Sequence, residues 1–158
     1  MTTSSEIEKL TDVFFERHWS THLGPERPTW KFGWNWQGSV PYHNKGGVYA
    51  LMDGAGHVVY IGLGASLGGG GYKGYGISNR LLGHVLTRDR PQDKEAYLPR
   101  TRWSEVASIG AIGFPLEFNY LAPALEDYLI RATNPPKKKQ KNKLTKTATP
   151  FTENELID

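Results

Sequence analysis

The middle of the chain carries four side chains suited to phosphate chemistry. Tyr49 and Tyr60 stand in the short apolar segments GVY and YIG, eleven residues apart. Arg80 and His84 are four residues apart in SNRLLGHVLTR, so on a helix they share one face. An arginine offers a charged fork to a phosphate, and a histidine exchanges protons near neutral pH. Taken singly, each is more often an ordinary strand tyrosine or a solvated surface residue.

A later carboxylate is a candidate metal ligand. Glu126 lies beside the apolar face of the segment LAPALEDYLIRAT, in which Leu125, Leu129 and Ala132 recur at helical spacing. Magnesium is a hard cation that prefers carboxylate oxygen together with water. Glu126 therefore fits a magnesium site, and an exposed helix acid is the simpler interpretation of the same residue.

The strands that must position these side chains follow from the apolar pattern. GGVYALMD and HVVYIG are rich in valine, tyrosine and isoleucine and are joined by Asp53-Gly54-Ala55-Gly56, which predicts a β-hairpin. WSEVASIGAI predicts a third strand. The segment LGASLGGGGYKGYG is too rich in glycine for a regular element and is predicted to be a loop.

Three segments have the pattern of helices. The first covers residues 4–20, opens with serine as a cap and has apolar residues at helical spacing. The second is SNRLLGHVLTR, capped by Ser78, and the third runs from Asn119 to the double proline at 135–136. Residues 21–45, which hold Trp30, Trp34 and Trp36, are predicted to be a loop. These tryptophans either anchor the segment by packing or stack on bases.

The order helix, hairpin, helix, strand, helix predicts an α/β protein of the α+β kind. Its sheet is expected to be small, three-stranded and mainly antiparallel, flanked by helices. We expect three regions: an N-terminal helix and tryptophan-rich arm in 1–45, a catalytic domain in 46–136, and a basic tail in 137–158.

Composition limits the classes of protein that fit. A length of 158 residues with 38% hydrophobic residues suits one globular domain with extensions. The absence of cysteine excludes disulfides and thiolate metal sites. No apolar run approaches the roughly 20 residues of a membrane span, and the polar N-terminus lacks the pattern of a secretory signal. A cytoplasmic protein without membrane contact is therefore expected.

Positive charge is concentrated in one segment. Residues 128–152 contain seven basic residues and no acidic residue, whereas the net charge of the whole chain is +3. Contacts between such a segment and phosphates would release condensed counterions, so nucleic acid is a natural partner. A solvated lysine-rich tail that aids solubility explains the same charges equally well.

Taken together, these residues resemble the GIY-YIG nuclease family. GVYAL followed by VVYIG, then Arg80 with His84, then Glu126 and Asn134, match the family in order and spacing across roughly 46–136. The resemblance implies a metal-dependent endonuclease, of restriction-type or freestanding kind, that hydrolyses DNA, with double-stranded DNA favoured. A homodimer is compatible with it, and neither cleavage specificity nor biological role can be inferred from the sequence.

The resemblance also implies roles for single residues. Tyr49 would be the general base for the attacking water or would position that water, and Tyr60 would orient water or phosphate. Arg80 would stabilise charge on the phosphate, and His84 would relay a proton from Tyr49. A tyrosine base has a cost, because forming phenolate at neutral pH takes about 4 kcal/mol when the pKa is near 10. Arg80, His84 and a metal would each lower that cost.

Glu126 would bind the metal, Mg²⁺ or Mn²⁺, and Asn134 would hold the geometry of that site. Many family members have lysine directly after YIG, where this chain has Leu63, and Lys73 in the glycine-rich segment is the substitute. The expected nucleic-acid contacts are Lys73, Asn134, Lys137, Lys138 and Lys139. Asn142 is a fallback for the asparagine.

Two rival interpretations differ in class. VVYIGLGASLG resembles a strand and glycine turn of a dinucleotide-binding fold, but Leu67 stands where that fingerprint has glycine and no βαβ unit surrounds it. The second rival is a catalytically inactive module on the same fold that binds nucleic acid or a protein partner through the tail and the tryptophans.

Overall fold

The structure is a computed structural model that describes residues 1–20, 22, 24–65, 76–89 and 96–137. Within these ranges the α-helices and β-strands are, in chain order, α1 (Ser4–His18), β1 (Trp30–Trp34), β2 (Gly46–Asp53), β3 (Val58–Leu63), α2 (Gly76–His84), β4 (Leu86–Arg88), β5 (Tyr97–Pro99), β6 (Val106–Phe114) and α3 (Ala122–Thr133). Two 3-10 helices, Thr101–Trp103 and Leu116–Leu121, precede β6 and α3. No helix in the described part of the chain could span a membrane.

The main sheet has four antiparallel strands in the order β1-β6-β2-β3. The predicted α+β class is confirmed, as is the hairpin of β2 and β3, in which Tyr49 pairs with Gly62. The predicted strand count of three was wrong, because β1 pairs with β6 at the outer edge. Trp30 and Phe32 of β1 pack on one face of the sheet, and Trp34, which follows an irregularity in the register with β6, packs on the other face. β4 and β5 form a second, two-stranded sheet.

Each face of the main sheet buries a separate apolar core. On one face, α1 and α3 pack with Val48, Ala50 and Ile112. On the other face, α2 packs with Tyr49, Leu51 and other aromatic and aliphatic residues. The residues before position 45 contribute to both cores, through Phe15 on the first face and Trp34 on the second. The tryptophan-rich segment therefore belongs to the same packed unit as the hairpin.

Five predicted caps or boundaries of these elements were wrong. Thr3, rather than serine, caps α1 in a reciprocal capping box with Glu6. Ser78 lies inside α2, where its hydroxyl donates to the carbonyl of His43 at 2.9 Å. The residues after His84 form β4 instead of extending α2, and Trp103 lies in a 3-10 helix before β6. The segment at Asn119 is also a 3-10 helix, and α3 begins three residues later, with Pro123 in its first turn.

The packing of α1 generates a stability prediction. Phe15 is 1% exposed and meets Phe114 of β6 edge to face, with ring centroids 5.9 Å apart. Phe15→Ala should lower the free energy of unfolding by about 3–5 kcal/mol, because it leaves a cavity between α1 and the sheet. Urea unfolding measures this. The control Val13→Ala removes a 41% exposed side chain of the same helix and should cost below about 0.5 kcal/mol. Equal, small effects of both variants would show that α1 is not part of the folding unit.

Candidate active site

Tyr49 and Tyr60 lie side by side on the face of the sheet that α2 covers. Tyr49 comes from β2 and Tyr60 from β3, and their ring centroids are 6.1 Å apart. Both side chains are buried, and both belong to the apolar core shared with α2. The two motif tyrosines thus form one phenol pair, which is the centre of the candidate site.

The pair depends on the glycine that follows Tyr60 in the sequence YIG. Gly62 is the cross-strand partner of Tyr49, and a Cβ atom built on Gly62 would overlap the Tyr49 ring. The phenol therefore lies flat over the space that a side chain at position 62 would fill. Any larger residue there would force Tyr49 out of its position beside Tyr60.

Close backbone packing places α2 against this pair. A Cβ atom on Gly76, the first residue of α2, would overlap the carbonyl of Gly64, and one on Gly64 would meet Ile77. The first turn of α2 also donates from the backbone of Ile77 to the carbonyl of Lys45 at 3.1 Å. Arg80 follows one turn later. The residue is exposed, yet its side chain hydrogen-bonds with Tyr49 and so lies at the phenol pair.

Burial governs the ionisation of both tyrosines. Desolvation raises the pKa of Tyr49 well above its ordinary value of 10.0, and Coulombic interaction with Tyr60 adds to the rise. The Arg80 guanidinium opposes the rise but does not cancel it. Burial also raises the pKa of Tyr60, with Glu126 adding to the rise, while Arg80 and Arg102 oppose it. Arg80 thus lowers the cost of a Tyr49 phenolate, as predicted, but burial outweighs it, and both phenols are protonated at neutral pH.

The pKa of His84 is lowered, so its imidazole is not a cationic partner for the phenols. Desolvation, followed by Coulombic interaction with Arg80, Arg100 and Arg102, lowers the pKa of His84 below its ordinary value of 6.5. Its imidazole is therefore neutral at pH 7 and can accept a proton. As predicted from the spacing, it lies on α2 one turn after Arg80.

Trp103 joins the end of α2 to Tyr60. Its buried indole lies 4.9 Å from the Tyr60 ring, centroid to centroid, and its Nε1 donates to the carbonyl of His84 at 3.0 Å. The Arg102 guanidinium lies 5.0 Å from the centre of the same indole. Neither Trp103 nor Arg102 can be predicted as a site residue from the sequence, because WSEV has the pattern of a strand start and no motif marks these two residues.

Glu126 is 4% exposed, so the interpretation as a solvated helix acid does not hold. It comes from α3, which packs on β2 and β3, and its charge acts on Tyr60. In the described residues no group of three or more histidine, aspartate or glutamate side chains could hold a metal. The donor set is thus one buried carboxylate. This fits Mg²⁺, which keeps several waters and takes substrate phosphate oxygens, and does not fit a closed structural metal site.

The remaining predicted residues do not contact the phenol pair or lie outside the described residues. Asn134 ends α3 in the left-handed conformation (φ 46°), about 12 Å along the helix axis from Glu126. The Lys137 ammonium donates to the Arg102 carbonyl at 2.8 Å, pairs with Glu105 and lies 4.9 Å from the Trp103 ring centre. Lys137 therefore anchors the start of the tail beside Trp103. Lys73, Lys138, Lys139 and Asn142 lie outside the described residues.

Comparison with known proteins adds no relative. No protein-family model matches the chain, and neither the curated proteins nor the solved structures contain a match. The GIY-YIG resemblance therefore stays a prediction that rests on the motif residues.

The raised pKa of Tyr49 makes a prediction for alkaline pH. An unfolded tyrosine ionises near pH 10, whereas the buried phenol keeps its proton, so the free energy of unfolding must fall as pH rises above that value. In Tyr49→Phe the fall should be shallower by up to about 1.4 kcal/mol per pH unit. Urea unfolding on both sides of pH 10 measures the two slopes. Tyr120→Phe removes a phenol that is 66% exposed and should keep the wild-type slope. An unchanged slope in Tyr49→Phe would contradict the burial of this phenol.

Proposed function

We propose that the protein is a metal-dependent endonuclease of the GIY-YIG kind that hydrolyses phosphodiester bonds in DNA. The observation that carries the proposal is the convergence of two buried phenols, one arginine and one buried carboxylate on elements distant in sequence. Tyr49 and Tyr60 are adjacent, Arg80 hydrogen-bonds with Tyr49, and Glu126 acts electrostatically on Tyr60. Each residue comes from a different strand or helix.

A phosphodiester resists attack because its charged oxygens repel the nucleophile. In the proposed reaction, water attacks phosphorus, the bond to one bridging oxygen breaks, and that oxygen leaves with a proton. Arg80 is the charged donor that neutralises the phosphate as negative charge accumulates. The protonated phenols of Tyr49 and Tyr60 are hydrogen-bond donors in the same place. Their burial strengthens these bonds, because few water molecules compete for the same atoms.

The raised pKa of Tyr49 decides how the proton of the attacking water leaves. A free phenolate costs more here than in solution, so Tyr49 can take that proton only as its own proton departs. The neutral imidazole of His84 is the acceptor available at pH 7. In our proposal the proton of the Tyr49 hydroxyl passes to His84, directly or through a water, as the water proton arrives. Full phenolate never forms.

Glu126 is the residue that would hold the metal, Mg²⁺ or Mn²⁺. When bound, the ion supplies Lewis-acid stabilisation of the phosphate and of the departing oxygen. The contribution of the chain is to keep one carboxylate buried on α3, from where its charge acts on Tyr60. Burial of Glu126 limits the competition of bulk water for that carboxylate, and α3 fixes its position against β2 and β3.

DNA as the substrate, with the duplex form favoured, follows from the proposed family rather than from a base-reading residue. The lysines beyond position 137 would add sequence-independent contacts to phosphates. A restriction-type role and a cytoplasmic location are part of the same proposal. A homodimer would let two such sites cut both strands. The rival proposal is a module that binds nucleic acid without cutting it.

Paired substitutions on α3 test the proposal. Glu126→Gln should lower cleavage of supercoiled plasmid in Mg²⁺ by at least about 10²–10³-fold, because it removes the proposed metal ligand and a charge at the site. The measurement is the single-turnover rate of plasmid nicking, with and without chelator. Asp127→Asn is the matched control. Asp127 is the next residue, its side chain is exposed, and it pairs with Arg131 at 2.9 Å, so its rate should stay within about threefold of wild type.

The outcomes separate the two proposals. Cleavage that needs metal, survives Asp127→Asn and is lost in Glu126→Gln supports the endonuclease. Full activity of Glu126→Gln would remove the metal site from the mechanism. If wild-type protein binds DNA in a salt-dependent manner but cuts no plasmid or oligonucleotide duplex with either metal, the non-catalytic module replaces the enzyme.

A further inference from the structure

Two lysines flank one tyrosine ring outside the phenol pair. The Nζ atom of Lys31 lies 4.7 Å from the centre of the Tyr42 ring, and that of Lys45 lies 5.8 Å from it. Lys31 belongs to β1, and Lys45 immediately precedes β2. We define these three residues as the lysine clamp. Its members come from the segment that sequence analysis predicted to be a loop.

The ring of the lysine clamp is fixed in position. The Tyr42 hydroxyl donates to the carbonyl of Thr29 at 2.7 Å, and its Cβ atom lies against Gly113 of β6. Tyr42 also has φ 56°, a left-handed conformation that costs a non-glycine residue of order 1–3 kcal/mol. Such strain persists only where surrounding contacts enforce it, and it holds the ring within reach of both ammonium groups.

The lysine clamp lies on the same sheet face as the phenol pair. Lys31 pairs with Ala111, and Ala111 pairs with Tyr49, so the three side chains stand in one row across β1, β6 and β2. Directly paired residues point to the same side of a sheet. Neighbouring strands are about 4.8 Å apart, so the backbone of Lys31 is about 10 Å from that of Tyr49. Ala111 and Tyr49 are buried and Lys31 is exposed, so the row places the lysine clamp at the rim of the core that holds the phenol pair.

Lys45 links the lysine clamp to the helix that carries Arg80. Its carbonyl accepts from the backbone of Ile77, in the first turn of α2, and the neighbouring carbonyl of His43 accepts from Ser78. Arg80 is one turn further along α2. The lysine clamp and the candidate site are therefore held by one set of backbone contacts, and a substrate lying on this face would meet both.

The charges of the lysine clamp are uncompensated by acidic side chains. Two ammonium groups beside one ring repel each other, and within the described ranges neither lysine has a carboxylate partner within 4.0 Å. The aromatic face stabilises each cation without neutralising it. An anion that bridges the two lysines would remove the repulsion between them.

We propose that the lysine clamp binds the phosphodiester backbone of the DNA strand whose cleavage we assign to the phenol pair. The inference rests on the proposed function for the identity of the ligand. The backbones of Lys31 and Tyr49 are about 10 Å apart, so a strand bound at the phenol pair would reach the clamp with a neighbouring phosphate and not with the one that is cut. The clamp therefore holds phosphates near the cut and sets which phosphate reaches Arg80. It binds backbone and reads no bases.

The test measures the salt dependence of DNA binding in a background that does not cut. A fluorescently labelled duplex is titrated with Glu126→Gln protein across a range of NaCl concentrations, and the same is done after adding Lys31→Gln and Lys45→Gln. The slope of log K against log salt should flatten by about two, because each phosphate contact contributes about 0.9. At low salt, single-turnover cleavage by the double lysine variant with Glu126 intact should need more protein to reach the same rate.

A matched control removes the same charge elsewhere. Lys9→Gln with Arg17→Gln also takes away two cations, both from exposed positions on α1, which packs on the opposite face of the sheet. This pair should leave the slope within about 0.5 of the parent. Thermal unfolding of each variant should match its parent, since all four side chains are outside the buried cores.

The outcomes distinguish this inference from the proposed function. Equal slopes in the lysine-clamp variant and its parent, or equal flattening in the α1 control, would overturn the lysine clamp, whether or not the protein cuts DNA. Flattening confined to the lysine-clamp variant, in a protein that cuts no DNA, would support backbone binding and overturn the nuclease. Wild-type protein that binds no duplex at low salt would overturn both.

Discussion

The candidate site depends on one steric constraint, the packing of the Tyr49 ring over a position without a side chain. Gly62 stands opposite Tyr49 in the hairpin, and only its missing Cβ lets the phenol lie beside Tyr60. The same need for close approach recurs where β3 ends and α2 begins, at Gly64 and Gly76. Because the sheet and helix are so close, Arg80 reaches a phenol that is almost fully buried. The glycines therefore allow the close packing of ring, strand and helix, and the tyrosines and the arginine are the groups proposed to act on the phosphate.

Burial and charge act in opposite directions at this site. Desolvation favours the neutral form of both phenols and of His84, whereas the surrounding guanidinium groups favour phenolate. Burial wins at Tyr49 even though Arg80 is its hydrogen-bond partner. The free protein thus places two neutral phenols and a neutral imidazole among the guanidinium groups of Arg80 and Arg102, with the Glu126 carboxylate acting on Tyr60. A bound phosphate would supply a negative charge that balances the charge of Arg80. The arrangement of charges at the site therefore favours a bound anion.

Local patterns in the sequence were enough to predict the centre of the fold. The β2–β3 hairpin follows from two β-rich segments around a turn, and the shared helix face of Arg80 and His84 follows from their spacing. The burial of Glu126 does not follow from its spacing, because a residue at the edge of an apolar stripe is compatible with either burial or exposure. The fourth strand could not be found in this way, since the prolines and glycines of 21–45 are typical of a loop although its tryptophans favour strands. β1 forms because its residues pair with β6, which lies far along the chain.

Groups of side chains that come from distant segments could likewise not be predicted from the sequence. Trp103 reaches Tyr60 and the His84 carbonyl only after the 3-10 helix has folded back on α2. Lys31 and Lys45 are fourteen residues apart and meet at the ring of Tyr42 through a backbone conformation that no local pattern predicts. The pKa of Tyr49 also depends on the completed core. The higher cost of ionising this phenol could therefore not be predicted from residue spacing.

The most direct test of the central claim follows the oxygen of the attacking water. Wild-type protein is incubated with a duplex and Mg²⁺ in water enriched in ¹⁸O, and the new termini are analysed by mass spectrometry. Hydrolysis at the phenol pair predicts metal-dependent cuts with one ¹⁸O atom in each new terminal phosphate and no DNA attached to protein. Intact DNA in both Mg²⁺ and Mn²⁺, or DNA covalently joined to a tyrosine, would contradict it.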